Sequence, residues 1–282
     1  MTIRDALAEA ESILRWADIQ NAEIDAGRLL ALVLKTDPLA LRLRPAEAVP
    51  PALRDAYFSL LKKRASHIPL QILEGEAVFM GLSFRVTPDV LIPRPDTETL
   101  CGEALRIAGR SDSVLDVGTG SGALAVAIKR IRPDLRVTAT DISGKALRLA
   151  RENAKRNDTS VAFLQGDCYE PVAGRRFHLI VSNPPYISEK EMETLSPEVQ
   201  NEPRLALFGG TDGLAFYRRL IGEARNHLYA GGRIVFEIGW KQKEAVSEML
   251  RKEIGVPFAK RDDAGNWRVV GATWEWRYDY EP

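Results

Sequence analysis

An apolar run that ends in a glycine-rich turn and continues as a helical pattern restricts the fold of this chain more than any other feature. Residues 114–117 read Val-Leu-Asp-Val, residues 118–122 read Gly-Thr-Gly-Ser-Gly, and residues 123–131 have the spacing of a helix. In a parallel sheet, such a turn lies at the carboxyl edge of the strands, where glycines let a ligand approach the backbone. The pattern therefore predicts a ligand-binding α/β domain.

Strand and helix patterns alternate along the rest of the chain. Further strands are predicted at residues 137–140, 161–164, 178–182 and 234–238, and helices at residues 143–157, 212–228 and 241–251. The last two predicted strands, at residues 256–260 and 267–274, are close enough to form an antiparallel edge. This alternation predicts a mainly parallel sheet with helices on both faces. We expect Trp267, Trp274 and Trp276 to pack in the core or at the edge of this sheet.

The first part of the chain has a different pattern. Thr2, Asn21 and the Pro50-Pro51 pair each precede an amphipathic stretch, which predicts a small bundle of helices. Two short β-like runs around Met80-Gly81 predict a hairpin. We therefore expect an N-terminal helical bundle at residues 1–67, a β-hairpin linker at residues 68–90 and the α/β domain at residues 91–282.

Composition excludes several classes of protein. Lys+Arg and Asp+Glu are both 39, and this zero net charge argues against a protein held on nucleic acid mainly by phosphate contacts. The two cysteines and three histidines have no zinc-site spacing, so we expect no metal. The N-terminus lacks the apolar core of a signal peptide, and the longest apolar runs are too short to span a membrane. We expect a cytoplasmic protein without a membrane partner.

Polar residues after successive strands predict a cofactor site. The glycine turn has the spacing G-x-G-x-G, which differs from the G-x-G-x-x-G of dinucleotide enzymes. Asp141 ends the next strand, where a carboxylate can accept hydrogen bonds from both ribose hydroxyls of an adenosine, or can cap the following helix. After the third strand, Asp167 can accept from an adenine amino group and Cys168 can lie along the base. The alternative for Asp167 is an acid in a solvated loop.

The most specific motif is Asn183-Pro184-Pro185-Tyr186, which follows the fourth strand. Two prolines fix φ and remove two backbone donors, so that nearby carbonyl groups face outward as acceptors. The carbonyls of the Asn183 side chain and the Pro184 backbone can each accept one N–H of a planar amide or aromatic amino group. Tyr186 can pack on the flat target. A structural Pro-Pro turn is the alternative to this catalytic interpretation.

These motifs resemble the peptide chain release factor N5-glutamine methyltransferases, the HemK/PrmC family. The resemblance spans nearly the whole chain. It also includes residues 91–98 (Leu-Ile-Pro-Arg-Pro-Asp-Thr-Glu), Glu202-Pro203, Ala206-Leu207 and residues 209–214. It implies a class I S-adenosylmethionine-dependent methyltransferase (Rossmann-like) domain with a small N-terminal helical domain, at residues 1–67, that helps to recognise the substrate. The implied reaction transfers a methyl group from S-adenosyl-L-methionine to the glutamine side-chain amide nitrogen in the Gly-Gly-Gln loop of class 1 peptide chain release factors.

The resemblance also assigns residues. Those implied to bind the cofactor are Gly118, Thr119, Gly120, Ser121, Gly122, Asp141 and Asn183, in addition to Asp167 and Cys168. The catalytic residues are Asn183, Pro184 and Tyr186, and the residues that bind the glutamine are Asn183, Pro184, Pro185 and Tyr186. Glu202 is a further candidate for the wall of this pocket, with a plain loop turn as the alternative. Cys168 departs from the large aromatic residue that is frequent at this position in the family, so the adenine is expected to be covered less tightly.

Three other functions remain open at this stage. An adenine-N6 DNA methyltransferase would use the same Asn-Pro-Pro-Tyr chemistry on a flipped base, although it would need a basic groove. A glutamine methyltransferase of a ribosomal protein would share all the chemistry. A non-catalytic binding module could keep the fold as a scaffold. Residues 188–208 show little periodicity, and we expect this long segment to move or become ordered when the protein substrate binds.

Overall fold

The structure is a computed structural model that describes residues 1–275 of the 282-residue chain. The chain forms two compact units: unit 1 contains Met1–Glu76 and Ser196–Asn201, and unit 2 contains Ala77–Leu195 and the chain from Glu202 onward. The three domain limits predicted from the sequence stay predictions.

Unit 1 begins with helices. Their bounds are α1 (Ile3–Trp16), α2 (Ala22–Leu34), α3 (Pro38–Leu43), α4 (Pro51–Ala65) and α5 (Leu70–Glu74). The three helices predicted from the sequence are confirmed as α1, α2 and α4, whereas α3 and α5 were missed. Thr2 caps α1, because its hydroxyl accepts from the Asp5 N–H and the Asp5 carboxylate accepts from the Thr2 N–H. Asn21 precedes α2 as predicted, but within the described chain its side chain makes no capping hydrogen bond.

The predicted hairpin is confirmed as β1 (Glu76–Phe79) and β2 (Leu82–Arg85). The two turn residues have positive φ, with 50° at Met80 and 73° at Gly81, as a tight two-residue hairpin turn requires. Phe79 and Phe84 are both buried and pack edge to face, with ring centroids 6.2 Å apart. Their contact fixes the hairpin against the core of unit 2.

The rest of unit 2 alternates strands and helices, as predicted. The strands are β3 (Ser113–Val117), β4 (Arg136–Asp141), β5 (Ala162–Gln165), β6 (Phe177–Ser182), β7 (Leu228–Glu237), β8 (Pro257–Arg261) and β9 (Trp267–Thr273). The helices are α6 (Pro95–Ile107), α7 (Ala123–Ile131), α8 (Gly144–Arg156), α9 (Glu189–Met192), α10 (Pro197–Gln200), α11 (Arg204–Leu207), α12 (Ala215–His227) and α13 (Lys243–Glu253), of which α10 belongs to unit 1. A 3₁₀ helix spans Glu170–Val172. The sequence did not predict α6.

The seven-stranded sheet has the order β5-β4-β3-β6-β7-β9-β8. Strands β3 to β7 pair in parallel, and β9 pairs antiparallel with both β7 and β8, which confirms the predicted antiparallel edge. Alternate residues of one strand enter two different cores: Val114 packs with α6 and α7, and Leu115 packs with α12 and α13. Helices therefore cover both faces, and the predicted Rossmann-like fold class is confirmed.

The strand order changes direction at the centre of this sheet. From β3 the chain moves outward through β4 and β5, and then returns to place β6 on the other side of β3. In open α/β sheets, ligands bind at this switch point, beyond the carboxyl ends of the strands. The Ser182 hydroxyl donates to the Val117 carbonyl at 2.6 Å, so the two strands end together. The turn at residues 118–122 and the motif that starts at Asn183 therefore leave the sheet side by side.

The predicted packing role is confirmed for two of the three tryptophans. Trp267 and Trp274 are partly buried and pack against the core formed with α12 and α13, whereas Trp276 lies outside the described residues. Within residues 1–275, the helices are all too short or too polar to cross a lipid bilayer.

Candidate active site

A cavity of about 860 Å³, including its mouth, lies in unit 2 at the switch point of the sheet. It brings together eight of the residues predicted as site residues: Gly118, Gly120, Asp141, Asp167, Cys168, Asn183, Pro184 and Pro185. These residues lie at or just after the carboxyl ends of β3, β4, β5 and β6, so four strand ends contribute to one cavity.

The glycine turn leaves space for a ligand. Gly118 and Gly120 have φ values of 75° and 55°. Apart from the adjacent residues in the chain, no described protein atom lies within 4 Å of a Cβ built at either position. Because both glycines line the cavity, a side chain at either position would fill space that a ligand needs. The N–H groups of Gly118 and Thr119 donate to the Thr140 carbonyl at 2.9 and 3.0 Å, which holds the turn against the end of β4.

The other turn residues, Thr119, Ser121 and Gly122, stabilise the turn and its packing against the neighbouring helices. The Thr119 hydroxyl donates to the Asp116 carboxylate at 2.6 Å, and Ser121 is buried with its carbonyl bonded to the Asn153 side chain at 2.9 Å. At Gly122 a Cβ would lie 2.9 Å from that of Ala150, which allows α7 to pass close to α8. Of the five turn residues, the structure therefore places Gly118 and Gly120 on the cavity.

Asp141 is held by backbone donors at the cavity wall. One carboxylate oxygen accepts from the Gly120 N–H and the other from the Ser143 N–H, both at 2.8 Å. Burial is the main cause that raises the pKa of Asp141 above its usual value. The cap of α8 is the Ser143 hydroxyl, which accepts from the Ala146 N–H at 3.2 Å. Each carboxylate oxygen of Asp141 keeps further acceptor capacity for a ligand in the cavity.

Asp167 and Cys168 line the same cavity from the segment after β5. The Asp167 carboxylate accepts from the Arg219 guanidinium at 2.7 Å, and this hydrogen bond is the main cause that lowers the pKa of Asp167. Cys168 has a φ of 47°, and burial raises the pKa of its thiol to about 12. The Cys168 side chain is therefore a neutral, largely apolar part of the cavity wall.

The Asn183-Pro184-Pro185-Tyr186 segment divides between two environments. The first three residues line the cavity. The Asn183 side-chain N–H donates to the Thr97 hydroxyl at 3.1 Å, and the Tyr186 hydroxyl donates to the Glu237 carboxylate at 3.2 Å. Burial raises the pKa of Tyr186 above its usual value, so the ring carries a neutral hydroxyl.

The end of α11 and the loop after it pack against this segment and form hydrogen bonds with Ile187. The Ile187 N–H donates to the Leu207 carbonyl at 2.9 Å, and the Gly209 N–H donates to the Ile187 carbonyl at 2.8 Å. A Cβ at Gly209 would lie 2.7 Å from the Pro185 carbonyl oxygen, and the Gln242 side chain donates to the Tyr186 carbonyl at 2.9 Å. The backbone that carries the proposed catalytic carbonyls is therefore fixed by close packing and by hydrogen bonds.

Glu202 has a buried carboxylate, with a side chain that is 2% exposed. One oxygen accepts from the Ile92 N–H at 3.0 Å and the other forms an ion pair with Arg94. The ion pair of Arg94 is thus with Glu202, whereas the Glu98 carboxylate accepts from the Met80 N–H at 2.6 Å. Glu202 joins the segment before α6 to the segment before α11, while its neighbour Pro203 lines the cavity.

Sequence reasoning missed other parts of the site. Hydrophobic residues that complete the cavity wall are Val90, Leu91, Ile142, Ala146, Leu205, Ala206, Phe216 and Leu220. Of these, Leu91 and Ala206 had a signal, because both lie in segments that carry the family resemblance. Thr97 and Glu237, which hold Asn183 and Tyr186, were also missed. Within residues 1–275, no group of three or more His, Cys, Asp or Glu side chains is arranged to hold a metal ion.

The strand order, the glycine turn and the acceptor-rich motif at the switch point together define a methyltransferase with a Rossmann-like fold. The solved structure of a methyltransferase from Pyrococcus furiosus superposes with a TM-score of 0.56 at 22% identity, over 71% of this chain and 92% of that chain. A 16S rRNA methyltransferase from T. thermophilus, solved in complex with AdoMet and guanosine, gives a TM-score of 0.52 at 20% identity, over 70% of this chain and 49% of that chain.

Comparison of the sequence with known proteins assigns the chain to one family within this class. The model of the PrmC N-terminal domain matches residues 5–75, and that of the Methyltransferase small domain matches residues 97–202. The release factor glutamine methyltransferase of Geobacter sulfurreducens is 41% identical over 272 residues, which cover 96% of each chain. The chain belongs to the release factor glutamine methyltransferase family.

Proposed function

We propose that this protein transfers a methyl group from S-adenosylmethionine to the side-chain amide nitrogen of the glutamine in the Gly-Gly-Gln loop of class 1 peptide chain release factors. The observation that carries the proposal is the single cavity that contains Gly118, Gly120 and Asp141 together with Asn183 and Pro184. Family membership supports the choice of a release factor as the substrate. Release factors act on ribosomes, so the proposed reaction takes place in the cytoplasm.

The cavity fits an adenosyl group. The space beside Gly118 and Gly120 admits a ligand close to the backbone, and the Asp141 carboxylate can accept from two vicinal hydroxyls. Asp167 and the neutral Cys168 side chain would contact the base. When bound, S-adenosylmethionine supplies a methyl group on a positively charged sulfur and needs no further activation.

The task left to the protein is to hold a weak nucleophile. An amide nitrogen is a poor nucleophile because its lone pair is delocalised into the carbonyl group. The Asn183 side-chain carbonyl and the Pro184 backbone carbonyl would each accept one N–H of the target. These acceptors fix the amide plane and stabilise the positive charge that develops on nitrogen. Positioning of this kind contributes up to roughly 7–11 kcal/mol to rate enhancement.

The test is mass spectrometry of a purified class 1 release factor after incubation with the protein and S-adenosylmethionine. The expected result is one added methyl group on the glutamine of the Gly-Gly-Gln loop. The control is a release factor with glutamate in place of that glutamine, which should gain no methyl group. An unmodified release factor, together with methyl transfer to a ribosomal protein or to DNA adenine, would contradict the proposal.

A further inference from the structure

Two segments that lie outside the sheet line the cavity of the candidate active site. The first wall segment, residues 89–94, comes between β2 and α6, and its residues 89–91 line the cavity. The second wall segment, residues 202–206, runs into α11 and contributes Pro203, Leu205 and Ala206. Since neither segment belongs to a strand, its position depends on contacts with the rest of unit 2.

Glu202 connects the two wall segments. Its side chain is 2% exposed, one of its oxygens accepts from the Ile92 N–H at 3.0 Å, and the other forms an ion pair with Arg94. Ile92 directly follows Leu91, which lines the cavity, and Glu202 is directly followed by Pro203, which also lines it. Hydrogen bonds to an ionised acceptor are stronger than those between neutral groups. One buried carboxylate therefore fixes the two wall segments relative to each other.

The other end of the first wall segment has its own attachment. Val90 is buried and packs against α8. Asp89 is 2.8 Å from the Lys145 amino group, but both side chains are exposed, and such pairs contribute little to stability. The hydrophobic contacts of Val90 therefore hold the beginning of the segment, whereas Glu202 holds its end.

We propose that Glu202 is a positioning residue for the cofactor, which holds the two wall segments where they enclose the adenosyl group of S-adenosylmethionine. The inference rests on the function proposed above, because that function supplies the ligand. Both carboxylate oxygens of Glu202 already accept from the protein, and almost none of the side chain is exposed. Glu202 is therefore assigned to the placement of the walls and not to a contact with the target glutamine.

The start of α6 should keep its place without Glu202. Thr97, which accepts from the Asn183 side chain at 3.1 Å, lies in the first turn of this helix. Leu100 and Ala104 attach α6 to the core and are fully buried. Loss of the Glu202 contacts should therefore displace the first wall segment more than it displaces Asn183. The expected result is weaker binding of S-adenosylmethionine, with a much smaller effect on kcat at saturating cofactor.

Substitutions of Glu202 test this role. Glu202→Ala removes both contacts, and we expect the Kd for S-adenosylmethionine in calorimetry to rise at least about tenfold, or about 1.4 kcal/mol. Glu202→Gln has an amide oxygen that can accept from Ile92 but forms no ion pair with Arg94, so its Kd should rise by roughly threefold. A folded variant of either kind that binds with the Kd of the unmodified protein would overturn the inference.

The matched control is a second buried glutamate of unit 2. Glu103 on α6 is 3% exposed and forms ion pairs with Arg106 at 2.5 Å and with Lys260 at 3.4 Å, and it does not line the cavity. Glu103→Ala should lower thermal stability, as Glu202→Ala does, while the Kd for S-adenosylmethionine stays unchanged. An equal rise of the Kd in both variants would be an effect of general destabilisation and would contradict a specific role of Glu202.

A double-mutant cycle tests the ion pair. Arg94→Gln leaves the buried carboxylate without its cation and should weaken the binding of S-adenosylmethionine. In the double variant with Glu202→Gln both charges are gone, so the Kd should lie within about twofold of that of Arg94→Gln alone. Fold-changes that multiply in the double variant would show that the two residues act independently, which is contrary to the inference.

Hydrogen exchange of the ligand-free protein gives an answer that depends on neither cofactor nor activity. Because the Ile92 N–H donates to the buried carboxylate, its exchange should become at least about tenfold faster in Glu202→Ala and should stay unchanged in Glu103→Ala. Equal exchange at Ile92 in the two variants would refute the assigned contact.

The binding and methylation results separate this inference from the proposed function. If the unmodified protein binds S-adenosylmethionine but methylates no release factor, the proposed function fails, while the Kd values and exchange rates still decide the role of Glu202. If the unmodified protein binds no S-adenosylmethionine, both fail.

Discussion

At the scale of single residues, Asn183 has two separate tasks on its two side-chain atoms. Its nitrogen is bonded to Thr97 at 3.1 Å, and its oxygen is the proposed acceptor for the target amide. A side chain whose only role is packing would need neither the donor that is bonded to Thr97 nor the acceptor proposed for the target amide. The two neighbouring prolines supply no N–H donors, so the environment of the target is rich in acceptors. Such an environment suits a neutral NH2 group that becomes positively charged during transfer.

Asn183→Ala should therefore abolish turnover, because it removes the acceptor that holds the amide. Since Asp141 and the glycine turn remain, the affinity for S-adenosylmethionine should stay within roughly tenfold, or about 1.4 kcal/mol. Methyl transfer assays and calorimetry measure the two quantities. The matched control is Asn226→Ala on the exposed face of α12. Equal turnover in Asn183→Ala and in the control would remove Asn183 from the mechanism.

Asp116, before the glycine turn, predicts a dependence of stability on pH. It is fully buried, and burial raises its pKa to about 7. Between about pH 4 and pH 7 the folded protein keeps a proton that the unfolded chain has lost. This contribution to the free energy of unfolding is complete below the unfolded pKa and is lost as pH rises through the folded pKa.

Asp116→Asn cannot ionise, so its stability relative to the unmodified protein should increase as pH rises. Between pH 5 and pH 7 we expect this difference to grow by more than about 1 kcal/mol. Denaturant unfolding at a series of pH values measures it, with the exposed Asp158→Asn as the control. A difference that is constant across the series would show that Asp116 is ionised throughout.

The sequence predicted those residues of the candidate cavity whose positions depend on local order along the chain. Gly118, Gly120, Asp141 and the Asn183 motif follow strand ends, and parallel strands bring such positions together. Thr97 and Glu237 were missed because their roles depend on contacts between residues distant in sequence, such as the 86 positions that separate Thr97 from Asn183. A glutamate at the end of an apolar strand has no sequence signal for burial.

At the scale of elements, strands and helices with a clear hydrophobic period were predicted well. Helices α3 and α5 have six and five residues, which is too short to show such a period. Helix α6 lies within the predicted α/β domain, but no helix was predicted at residues 95–107, where two prolines lie near the start. One of them is Pro95 at the first helical position, where proline is favoured, so this signal was available.

The loop between α11 and α12 offers a test at this scale. Gly213 has a φ of 74°, and a Cβ there would collide with the Tyr186 carbonyl oxygen. Gly213→Ala must therefore shift the backbone near residues 183–186, the proposed catalytic segment, and we expect kcat to fall by about tenfold to a hundredfold. The matched control is Gly222→Ala, since Gly222 lies within α12 with no described atom within 4 Å of its Cβ position. The control should be slightly more stable, because alanine favours a helix by up to about 1 kcal/mol over glycine.

Kinetic assays and thermal unfolding of the two variants decide whether activity requires the close approach of Gly213 to the Tyr186 carbonyl oxygen. A Gly213→Ala protein that folds normally and has the kcat of the control would show that the proposed catalytic segment, residues 183–186, does not need this contact for activity.

At the scale of the whole molecule, the chain leaves unit 2 after Leu195 and returns to it at Glu202. The sequence predicted residues 188–208 as a long segment without regular structure, whereas the structure contains the short helices α9, α10 and α11. The expected movement of this segment upon substrate binding stays a prediction. Its middle part, Ser196–Asn201, belongs to unit 1, where Glu198 forms an ion pair with Arg64 and the Asn201 side chain donates to the His67 carbonyl at 3.1 Å.

Arg64 is the central residue of this attachment. Its side chain is 5% exposed and lies 2.7 Å from the Asp25 carboxylate, which is also buried. Arg64→Met would leave Asp25 buried without its partner, and the removal of one member of a buried pair costs about 3–5 kcal/mol. Hydrogen exchange in residues 1–76 and 196–201 should therefore become faster. The matched control is Arg42→Met, because the ion pair of Arg42 with Glu23 is about 70% exposed on both side chains and such pairs contribute only about 0–1 kcal/mol. If residues 196–201 exchange at the same rate in both variants, Arg64 does not hold this segment in unit 1.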